Sequence, residues 1–445
     1  MQSVAEALAN LEKTVDSPLF VALGERFTAA GHELALVGGP VRDAFLGRRS
    51  PDLDFTTTAT PDEILSIIDG LVDAHWDIGR EFGTIGARIG DDTVEITTYR
   101  ADKYDPASRK PEVAFGTDLN EDLFRRDFTI NSMALRLPEK TFVDPFNGLQ
   151  DLIDGVIRTP GAPEVSFGDD PLRMMRGARF ASQLGFEIEP ATFAAMTEMA
   201  ERIEIISAER VQTEFVKLML GAHPRRGLEA LVESGLAERV LPELPALKLE
   251  VDEHHHHKDV YEHTLRVVEQ AISYEADYGL EGDVVLRFAA LLHDIGKVLT
   301  HEHEGTHVQL GVEVATKYGE NPLVVNCIAA HHDDVPHESE VSVLVQAGDS
   351  ISGSRPGARR EAFETYVKRL EGLEKIASSY RGVERVFAIQ AGREIRVVVS
   401  PTEVTDDRAR EIARELRKRI ETELQYPSTI RITVIREARF TETAT

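Results

Sequence analysis

Apolar residues recur along the chain with two different spacings, and the changes between them divide it into segments. Up to about Gly31 the spacing predicts an N-terminal helix. From there to about Pro160, short apolar strands alternate with helical stretches such as Pro61–Leu71, which is typical of a mixed α/β fold. The predicted strands are Leu34–Val37, Leu53–Thr57, Thr84–Ile89, Val94–Thr98 and Met133–Leu137.

The second half is predicted to be helical and then α/β again. From Asp170 to about Leu241, apolar residues recur every three or four positions, and Pro242 and Pro245 then end the helical pattern. A second helical block runs from Asp259 to about Ser379. The last elements are expected to be strands Val383–Gln390 and Ile395–Val399, a helix Asp406–Leu424 capped by Thr405 or Asp406, and a strand Ile430–Ile435.

Composition narrows the class of protein. A chain of 445 residues suggests roughly three domains at about 150 residues each. No apolar run approaches the roughly 20 residues of a membrane span, and the acidic segment Met1–Glu12 does not resemble a signal peptide. A single cysteine, Cys327, fits a cytoplasmic location. The net charge of −27 argues against a surface that binds nucleic acid everywhere, although it leaves room for a local basic groove.

The segment Val37–Thr58 carries the first candidate chemistry. Gly38-Gly39 follows a predicted strand, and Pro40 fits the first residue of a predicted helix. The glycine turn could therefore let backbone N–H groups approach a polyphosphate. Asp52 and Asp54 then alternate with apolar residues, which predicts two carboxylates on one face of a strand. Two such carboxylates can hold two Mg²⁺ ions roughly 4 Å apart for phosphoryl transfer. Taken singly, each pattern also fits an ordinary turn or a solvated strand edge.

Further charged residues follow in the same region. Glu95 lies in the middle of a predicted strand, where it either completes the metal site or faces solvent. Arg125-Arg126-Asp127 could bind a triphosphate and accept hydrogen bonds from ribose hydroxyls, or could form a salt-bridged turn. Asn131 closes the same short segment.

The segment from Asp169 to Arg179 is predicted to open a helix. Asp170 and Arg173 would lie one turn apart on one face, and Arg176 and Arg179 would continue the same ridge. An aspartate and an arginine together can present acceptors and planar donors to the edge of a base. The alternative is a set of intrahelical salt bridges on a solvated face.

In these motifs the chain resembles class II tRNA nucleotidyltransferases, the CCA-adding enzymes and bacterial poly(A) polymerases, over about residues 30–300. The motifs are Gly38–Asp43, Asp52-Leu53-Asp54, Arg125-Arg126-Asp127, Asp144–Gly148 and Asp169–Arg173, followed by a helical motif from Glu209 to Lys217. One departure is Asp169, where members of the family often carry Glu.

This resemblance implies roles for the motif residues. Asp52 and Asp54 would bind catalytic Mg²⁺, and the turn Gly38-Gly39 with Arg42 would contact the triphosphate. Arg126, Asp127 and Asn131 would bind the nucleotide's phosphates and ribose. Asp170 and Arg173 would select CTP and ATP without a nucleic-acid template, with Arg176 and Arg179 lining the same pocket.

A series of histidines and aspartates on the second helical block predicts a metal site. Neutral imidazoles and carboxylates from several helices suit a divalent or di-metal hydrolytic centre. The series resembles the HD phosphohydrolase superfamily, which implies His263, His293, Asp294 and Asp349 as core ligands, His307, His331 and His332 as ligands of a second metal, and Lys297 near phosphate charge. The run His254–His257 either binds metal or is an exposed linker.

From about His301 onward the chain resembles the C-terminal part of bacterial ribonuclease Y instead. The change falls near the motif His293–Lys297. The matching stretches are Ile328–His332, Ser354–Glu361, Ala388–Ile395 and Ile432–Glu437. The HD ligands therefore come from both sides of this change, and the sequence alone leaves open whether the helices bring them together.

We therefore expect a multidomain α/β plus all-α chain, with five segments. They are an N-terminal helix (1–30), a polymerase-β-like nucleotidyltransferase head (31–165), a helical neck and body (166–255), an all-helical HD domain (256–380) and a small C-terminal α/β domain (381–445). The expected function is template-independent addition of CMP and AMP to tRNA. Its partners would be tRNA or other RNA 3′ ends, CTP and ATP, without a membrane.

Mg²⁺ is the expected ion at the transferase site, and Mn²⁺, Mg²⁺ or Ni²⁺ at the HD site. Three alternatives remain open at this stage. They are an HD-type phosphodiesterase or endoribonuclease resembling ribonuclease Y, a poly(A) polymerase, and an inactive chain that only binds RNA or nucleotide.

Overall fold

The computed structural model of the chain describes residues 18–48, 50, 52–100, 115–248, 258–299, 306–353, 373, 375–389, 394–423 and 430–436. Among these residues, no helix is long and apolar enough to cross a membrane. The chain divides into two compact units: Met1–Val251 with Val260–Gly348, and Asp252–Asp259 with Asp349–Thr445.

The described strands are β1 (Leu34–Val37), β2 (Asp52–Thr57), β3 (Ala74–Trp76), β4 (Thr84–Ile89), β5 (Asp92–Thr98), β6 (Ala134–Leu137), β7 (Thr141–Val143), β8 (Val156–Ile157), β9 (Glu187–Ile188), β10 (Val383–Ile389), β11 (Glu394–Val399) and β12 (Arg431–Arg436). The described helices are α1 (Pro18–Ala29), α2 (Gly39–Phe45), α3 (Pro61–Ile68), α4 (Leu119–Phe124), α5 (Gly148–Asp154), α6 (Pro163–Asp169), α7 (Leu172–Leu184), α8 (Pro190–Glu198), α9 (Ala208–Met219), α10 (Pro224–Glu233), α11 (Ala237–Val240), α12 (Glu243–Ala246), α13 (Lys258–Tyr278), α14 (Val284–Leu292), α15 (His307–Lys317), α16 (Pro322–Ala330), α17 (Glu340–Gly353) and α18 (Asp406–Glu423).

The head is built on a seven-stranded sheet in the order β3-β4-β5-β2-β1-β6-β7. Strands β2 and β5 run parallel, whereas the other neighbours are antiparallel. Alternate residues of β1 enter two different apolar clusters, since Leu34 and Leu36 pack with helices α1 to α3 while Ala35 and Val37 pack with α4. Helices therefore cover both faces of this sheet.

The helices that follow the head share one apolar core. This core runs from Phe167 of α6 to Val345 of α17 and includes buried residues from α7, α9, α13 and α14. Consequently the predicted neck and the predicted HD helices are packed together rather than joined only by a linker.

The interval Asp170–Leu241 is not helical throughout, contrary to the sequence-based prediction. Gly185 ends helix α7 in the left-handed region at a φ of 71°, and the chain then forms strand β9. This strand pairs in parallel with β8, which precedes helix α6. The short strands β3 and β7 at the edges of the head sheet were also not predicted.

The C-terminal part forms its own small α/β fold. Strand β10 pairs antiparallel with β11, and β11 pairs parallel with β12. Helix α18 packs its apolar face on this sheet through Ile412, Leu416 and Ile420. Thr405 accepts a hydrogen bond from the backbone N–H of Arg408 at 3.3 Å, which makes Thr405 the N-terminal cap of α18.

Candidate functional site

A cavity of about 560 Å³ between the head sheet and helix α7 gathers nearly all of the residues predicted to bind nucleotide. The predicted residues that line it are Gly38, Gly39, Arg42, Asp52, Asp54, Arg126, Asp127, Asn131, Asp170, Arg173, Arg176 and Arg179. Glu95 is not among the lining residues. The structure thus brings together residues from five of the six sequence motifs, all except Asp144–Gly148, while their individual roles stay predictions.

Strand β2 directs its two aspartates to the cavity. Leu53 and Phe55 are buried in the core on the other face of the strand, so the alternation that the sequence predicted is present. Asp54 lies next to Glu95 in the parallel register of β2 and β5. Burial is the largest cause that raises the pKa of Asp54, and together with the charges of Glu95 and Asp52 it brings the pKa to about 6, although Arg126 opposes them.

These residues fit a divalent cation. A partly buried carboxylate that other carboxylates surround is costly to ionise, and a bound cation would offset that cost. Carboxylate oxygens are also the ligands that Mg²⁺ prefers. Glu95 is exposed and acts on the site through its charge on Asp54.

The Gly38-Gly39 turn makes room for Arg126. Gly38 has a φ of +72°, and a Cβ atom at this position would lie 2.9 Å from Nη1 of Arg126. Helix α2 begins at Gly39, with Pro40 in its first turn, as the sequence predicted. Arg42 donates a hydrogen bond through Nη1 to Oδ1 of Asn131 at 2.7 Å, which joins this turn to the Arg125–Asn131 segment.

Asp127 is buried and hydrogen-bonded inside the protein. Arg176 donates from Nε to Oδ2 at 2.7 Å, and Asn131 donates from Nδ2 to Oδ1 at 3.0 Å. Burial alone would raise the pKa of Asp127, but the Arg176 guanidinium and the Asn131 hydrogen bond outweigh it and hold the pKa at about 2. In this arrangement Asp127 orients Arg176 and has little free capacity for a ribose hydroxyl.

Asp170 does not lie on a helix with Arg173, and this part of the prediction was wrong. Asp170 has an extended backbone, with φ −140° and ψ 101°, and α7 begins only at Leu172. The cause is Pro171, because a proline disfavours the helical conformation of the residue before it. Oδ1 of Asp170 instead accepts a hydrogen bond from the backbone N–H of Leu172 at 3.1 Å.

Arg173 is held by neighbours at the base of the cavity. It is 8% exposed and donates from Nη1 to Oγ of Ser166 at 2.8 Å and from Nη2 to the carbonyl oxygen of Arg125 at 2.5 Å. Arg125 itself pairs with the buried Asp122 at 2.8 Å. The salt-bridged turn that was the alternative for Arg125 therefore exists within the cavity wall.

Two further residues of the cavity wall, Phe180 and Glu214, contact the arginines. Phe180 lies under three guanidinium groups, with its ring centroid 4.1 Å from Cζ of Arg179, 5.2 Å from that of Arg42 and 6.0 Å from that of Arg176. Glu214 of α9 pairs with Nε of Arg179 at 2.6 Å. The helical motif Glu209–Lys217 gave a signal for Glu214, although not for its partner.

Four of the histidines predicted as HD ligands surround Asp294. Its Oδ1 lies 3.6 Å from Nε2 of His307 and 3.7 Å from Nε2 of His331. Its Oδ2 lies 3.8 Å from Nε2 of His263 and 3.5 Å from Nε2 of His293. Each carboxylate oxygen thus faces a different pair of imidazoles, and the two pairs come from both sides of the change in resemblance near His301.

Hydrogen bonds to the backbone orient the two buried imidazoles. Nδ1 of His293 lies 2.8 Å from the carbonyl oxygen of Ala290, and Nδ1 of His331 lies 2.7 Å from that of Ile328. Each Nδ1 therefore carries the proton, which leaves Nε2 as a lone-pair donor. Among the described residues, Nε2 of His331 and Oδ1 of Asp294 are buried without a hydrogen-bond partner, as expected of metal ligands.

His307 and His332 lie next to His331. Ligand atoms of His307, His331 and His332 all lie within 4.8 Å of one another. Burial lowers the pKa of His307 to about 4, so this imidazole is neutral and able to bind a metal at pH 7. The donor set fits a divalent ion.

The remaining residues predicted for the HD site are Lys297, Asp349 and the His254–His257 run. Nζ of Lys297 lies 2.5 Å from Oδ2 of Asp294, so this lysine is paired with the central carboxylate. Asp349 lies on helix α17, and its role as a ligand stays a prediction. The His254–His257 run and the Ser354–Glu361 stretch lie outside the described residues.

Three family models match successive parts of the chain. Residues 34–158 match the poly A polymerase head domain, residues 185–247 match the probable RNA and SrmB-binding site of polymerase A, and residues 260–370 match the HD domain. The chain is thus a polymerase-type nucleotidyltransferase head joined to a helical body and an HD domain, as the sequence predicted. Its C-terminal segment adds a small sheet domain.

The curated relatives of this chain include ribonucleases Y of several bacteria. Ribonuclease Y of Opitutus terrae is 46% identical over 279 residues, which are 62% of this chain and 50% of the relative. Ribonuclease Y of Geobacillus kaustophilus is 41% identical over 304 residues, which are 68% of this chain and 55% of the relative. The chain therefore spans about half the length of the curated relatives that it matches.

Solved structures with a similar fold are CCA-adding enzymes. An apo form of one such enzyme has a TM-score of 0.56 at 21% identity, and its complex with ATP has a TM-score of 0.55 at 22% identity. The Thermotoga maritima enzyme in complex with tRNA has a TM-score of 0.52 at 20% identity. Each match covers 84% of this chain and 87% of the other chain, and at these identities the likeness shows the fold.

Proposed function

We propose that the protein is a template-independent CCA tRNA nucleotidyltransferase that adds CMP and AMP from CTP and ATP to tRNA 3′ ends. The observation that carries the proposal is a single cavity in which the paired carboxylates of β2, the Gly38-Gly39 turn and the charged residues of α7 meet. A carboxylate pair, a phosphate-binding turn and donors for a base edge are the parts that such a transfer requires.

In the proposed reaction the RNA 3′-hydroxyl attacks the α-phosphate in line, and pyrophosphate leaves. Asp52 and Asp54 would hold Mg²⁺, which would neutralise charge that develops on the phosphoryl oxygens. Arg42 and Arg126 would bind the triphosphate beside the glycine turn, and Glu95 would add negative charge next to Asp54.

Base selection is assigned to the residues at the start of α7. Oδ2 of Asp170 could accept hydrogen bonds from an exocyclic amino group, and Arg173 could donate to ring acceptors. The guanidinium of Arg173 has five N–H donors, and three contacts to Ser166 and Arg125 use only part of them. Asp127 keeps Arg176 oriented in the same wall.

We also propose a metal-dependent phosphohydrolase activity at the HD site. The position of Asp294, with each oxygen facing two imidazoles, supports a bridging carboxylate between two divalent ions. His263 and His293 would bind one ion, and His307, His331 and His332 would bind the other. An RNA phosphodiester is the proposed substrate, by analogy with the ribonuclease Y relatives.

Two substitutions separate the proposed activities. Asp54→Ala should abolish incorporation of labelled CMP and AMP into tRNA that lacks its CCA end, while hydrolysis of RNA continues. Asp294→Ala should have the opposite effect. If Asp54→Ala leaves incorporation intact, the transferase assignment is wrong, and if Asp294→Ala leaves hydrolysis intact, the HD assignment is wrong.

A further inference from the structure

Helix α9 presents different side chains to the nucleotide cavity and to the core shared with the HD helices. Glu214 and Lys217 line the cavity. Phe215 is buried in the shared core, where its ring packs edge-on against Phe288 of α14 with 5.7 Å between the ring centroids. One helix therefore touches both the proposed nucleotide site and the helix that leads into His293.

Two side chains of helix α9 pair with residues that line the nucleotide cavity. Glu214 is 6% exposed and pairs with Nε of Arg179 at 2.6 Å. Arg210, in the first turn of α9, pairs through Nη2 with Oδ2 of Asp170 at 3.3 Å. The position of α9 thus sets the orientation of an arginine and an aspartate in the cavity wall.

The C-terminal end of α9 is held by an arginine of the HD domain. Arg287 of α14 is 5% exposed and donates from Nη1 to the carbonyl oxygens of Met219 at 2.6 Å and Gly221 at 2.7 Å. Its charge is balanced by Glu275 of α13, which accepts from Nε at 2.5 Å and from Nη2 at 2.7 Å.

This contact is favourable for physical reasons. The last carbonyl groups of a helix have no partner within the helix, and a cation at that end also interacts with the helix dipole. The planar guanidinium binds both carbonyl groups and the Glu275 carboxylate at the same time, which an ammonium group cannot do with the same geometry. Arg287 therefore fixes α9 at the end nearest to Lys217.

We propose that Arg287 is a positioning residue of the nucleotide cavity. By fixing α9, it keeps Glu214 on Arg179 and Arg210 on Asp170, so that nucleotide selection depends on an HD-domain side chain outside the cavity. This inference rests on the proposed transferase function, and it makes the HD domain a structural part of the transferase.

The test removes the Arg287 contacts without leaving a buried charge. Arg287→Met alone would leave Glu275 unpaired and could prevent folding, so the main variant is Arg287→Met combined with Glu275→Leu. Replacing both members of a buried ion pair by apolar residues is often neutral for stability. A second variant, Arg287→Lys, keeps the positive charge opposite Glu275 but loses the planar guanidinium that binds both carbonyl groups and the carboxylate.

Arg225→Met is the matched control. Arg225 of α10 also joins the body to the HD helix α13, through Glu262 at 2.6 Å and Glu269 at 3.4 Å, and its further ion-pair partner, Glu229 at 2.8 Å, lies on α10 itself. Thermal unfolding of the full chain reports whether each variant is folded.

The readouts are dissociation constants for CTP and ATP and the ratio of kcat/KM for CTP to that for UTP. We expect the double variant to bind CTP and ATP about tenfold more weakly and to lose a similar factor in selectivity, since small displacements of positioning groups have effects of this size. The nucleotide affinity and selectivity of Arg287→Lys should lie between those of the double variant and those of the wild type. Arg225→Met should match the wild type in both. Unchanged affinity and selectivity in a folded double variant would overturn the inference alone, whereas a wild-type protein that binds neither CTP nor ATP would overturn the proposed function as well.

Discussion

Two carboxylates in the same cavity have opposite electrostatic surroundings. Asp54 lies beside Asp52 and Glu95, and burial raises its pKa to about 6. Asp127 is also buried, but Arg176 and Asn131 hold its pKa at about 2. The first is a carboxylate that gains from a bound cation, whereas the second already has its cation in the protein.

Asp54→Asn should stabilise the metal-free protein at neutral and basic pH. The raised pKa means that ionised Asp54 lowers the free energy of unfolding, by about 3 kcal/mol for a shift of roughly two units. This penalty is absent below about pH 4, grows as the pH rises to about 6 and is constant above. Urea unfolding in EDTA at pH 4 and pH 8 measures it. The exposed Asp52 serves as the control, since Asp52→Asn should change stability by only about 0.5 kcal/mol; equal effects of the two substitutions would contradict the account.

Asp127→Asn should destabilise the protein at neutral pH. Its lowered pKa corresponds to about 2 kcal/mol of stabilisation that is present above pH 4 and is lost as the pH falls through about 2. The substitution also removes the carboxylate that pairs with Arg176 at 2.6 Å, so the loss is at least of this size. Denaturant unfolding of wild type and variant at pH 7 and pH 3 tests the sign, and a difference that grows towards low pH would be inconsistent with the lowered pKa.

At the scale of elements, the site depends on where strands and helices begin. The alternation along β2 and the glycines before α2 are local signals, and both elements form where the sequence predicted them. The start of α7 is also set by a local signal, Pro171, which keeps Asp170 extended and outside the helix. The sequence-based prediction placed Asp170 on the helix because it followed only the spacing of the charged residues. Pairings between distant elements, such as Glu214 of α9 with Arg179 of α7, leave no signal in the spacing of residues because they depend on the packing of the two helices.

The turn before α2 gives a prediction at this scale. Gly38→Ala should weaken ATP and CTP binding by about tenfold, because the added Cβ would lie 2.9 Å from Nη1 of Arg126 and would displace the guanidinium from the cavity. Gly31→Ala is the matched control, since Gly31 has a φ of +81° but no neighbour within 4 Å of a Cβ. Both substitutions should lower stability by about 1–2 kcal/mol through backbone strain. Equal nucleotide affinity in the two variants, by calorimetry, would refute the steric role of Gly38.

At the scale of the molecule, the nucleotide cavity and the histidines around Asp294 lie in one compact unit. The candidate residues of both proposed sites are visible in the sequence, because the motif order and the histidine series can be read without a structure. Their assembly could not be predicted, since His263 and His331 come from segments that resemble different proteins. The continuous core from α6 to α17 brings them around Asp294. The same core connects the HD helices to the wall of the nucleotide cavity.

The proposed function requires that the head extends RNA by a fixed sequence that protein side chains select. Incubation of the protein with tRNA lacking its CCA end, Mg²⁺ and labelled CTP and ATP, followed by separation of the products at single-nucleotide resolution, tests this directly. We expect growth by C, C and A, after which extension stops. Continued addition of A would indicate a poly(A) polymerase, and no extension by a protein that still binds nucleotide would contradict the proposed function.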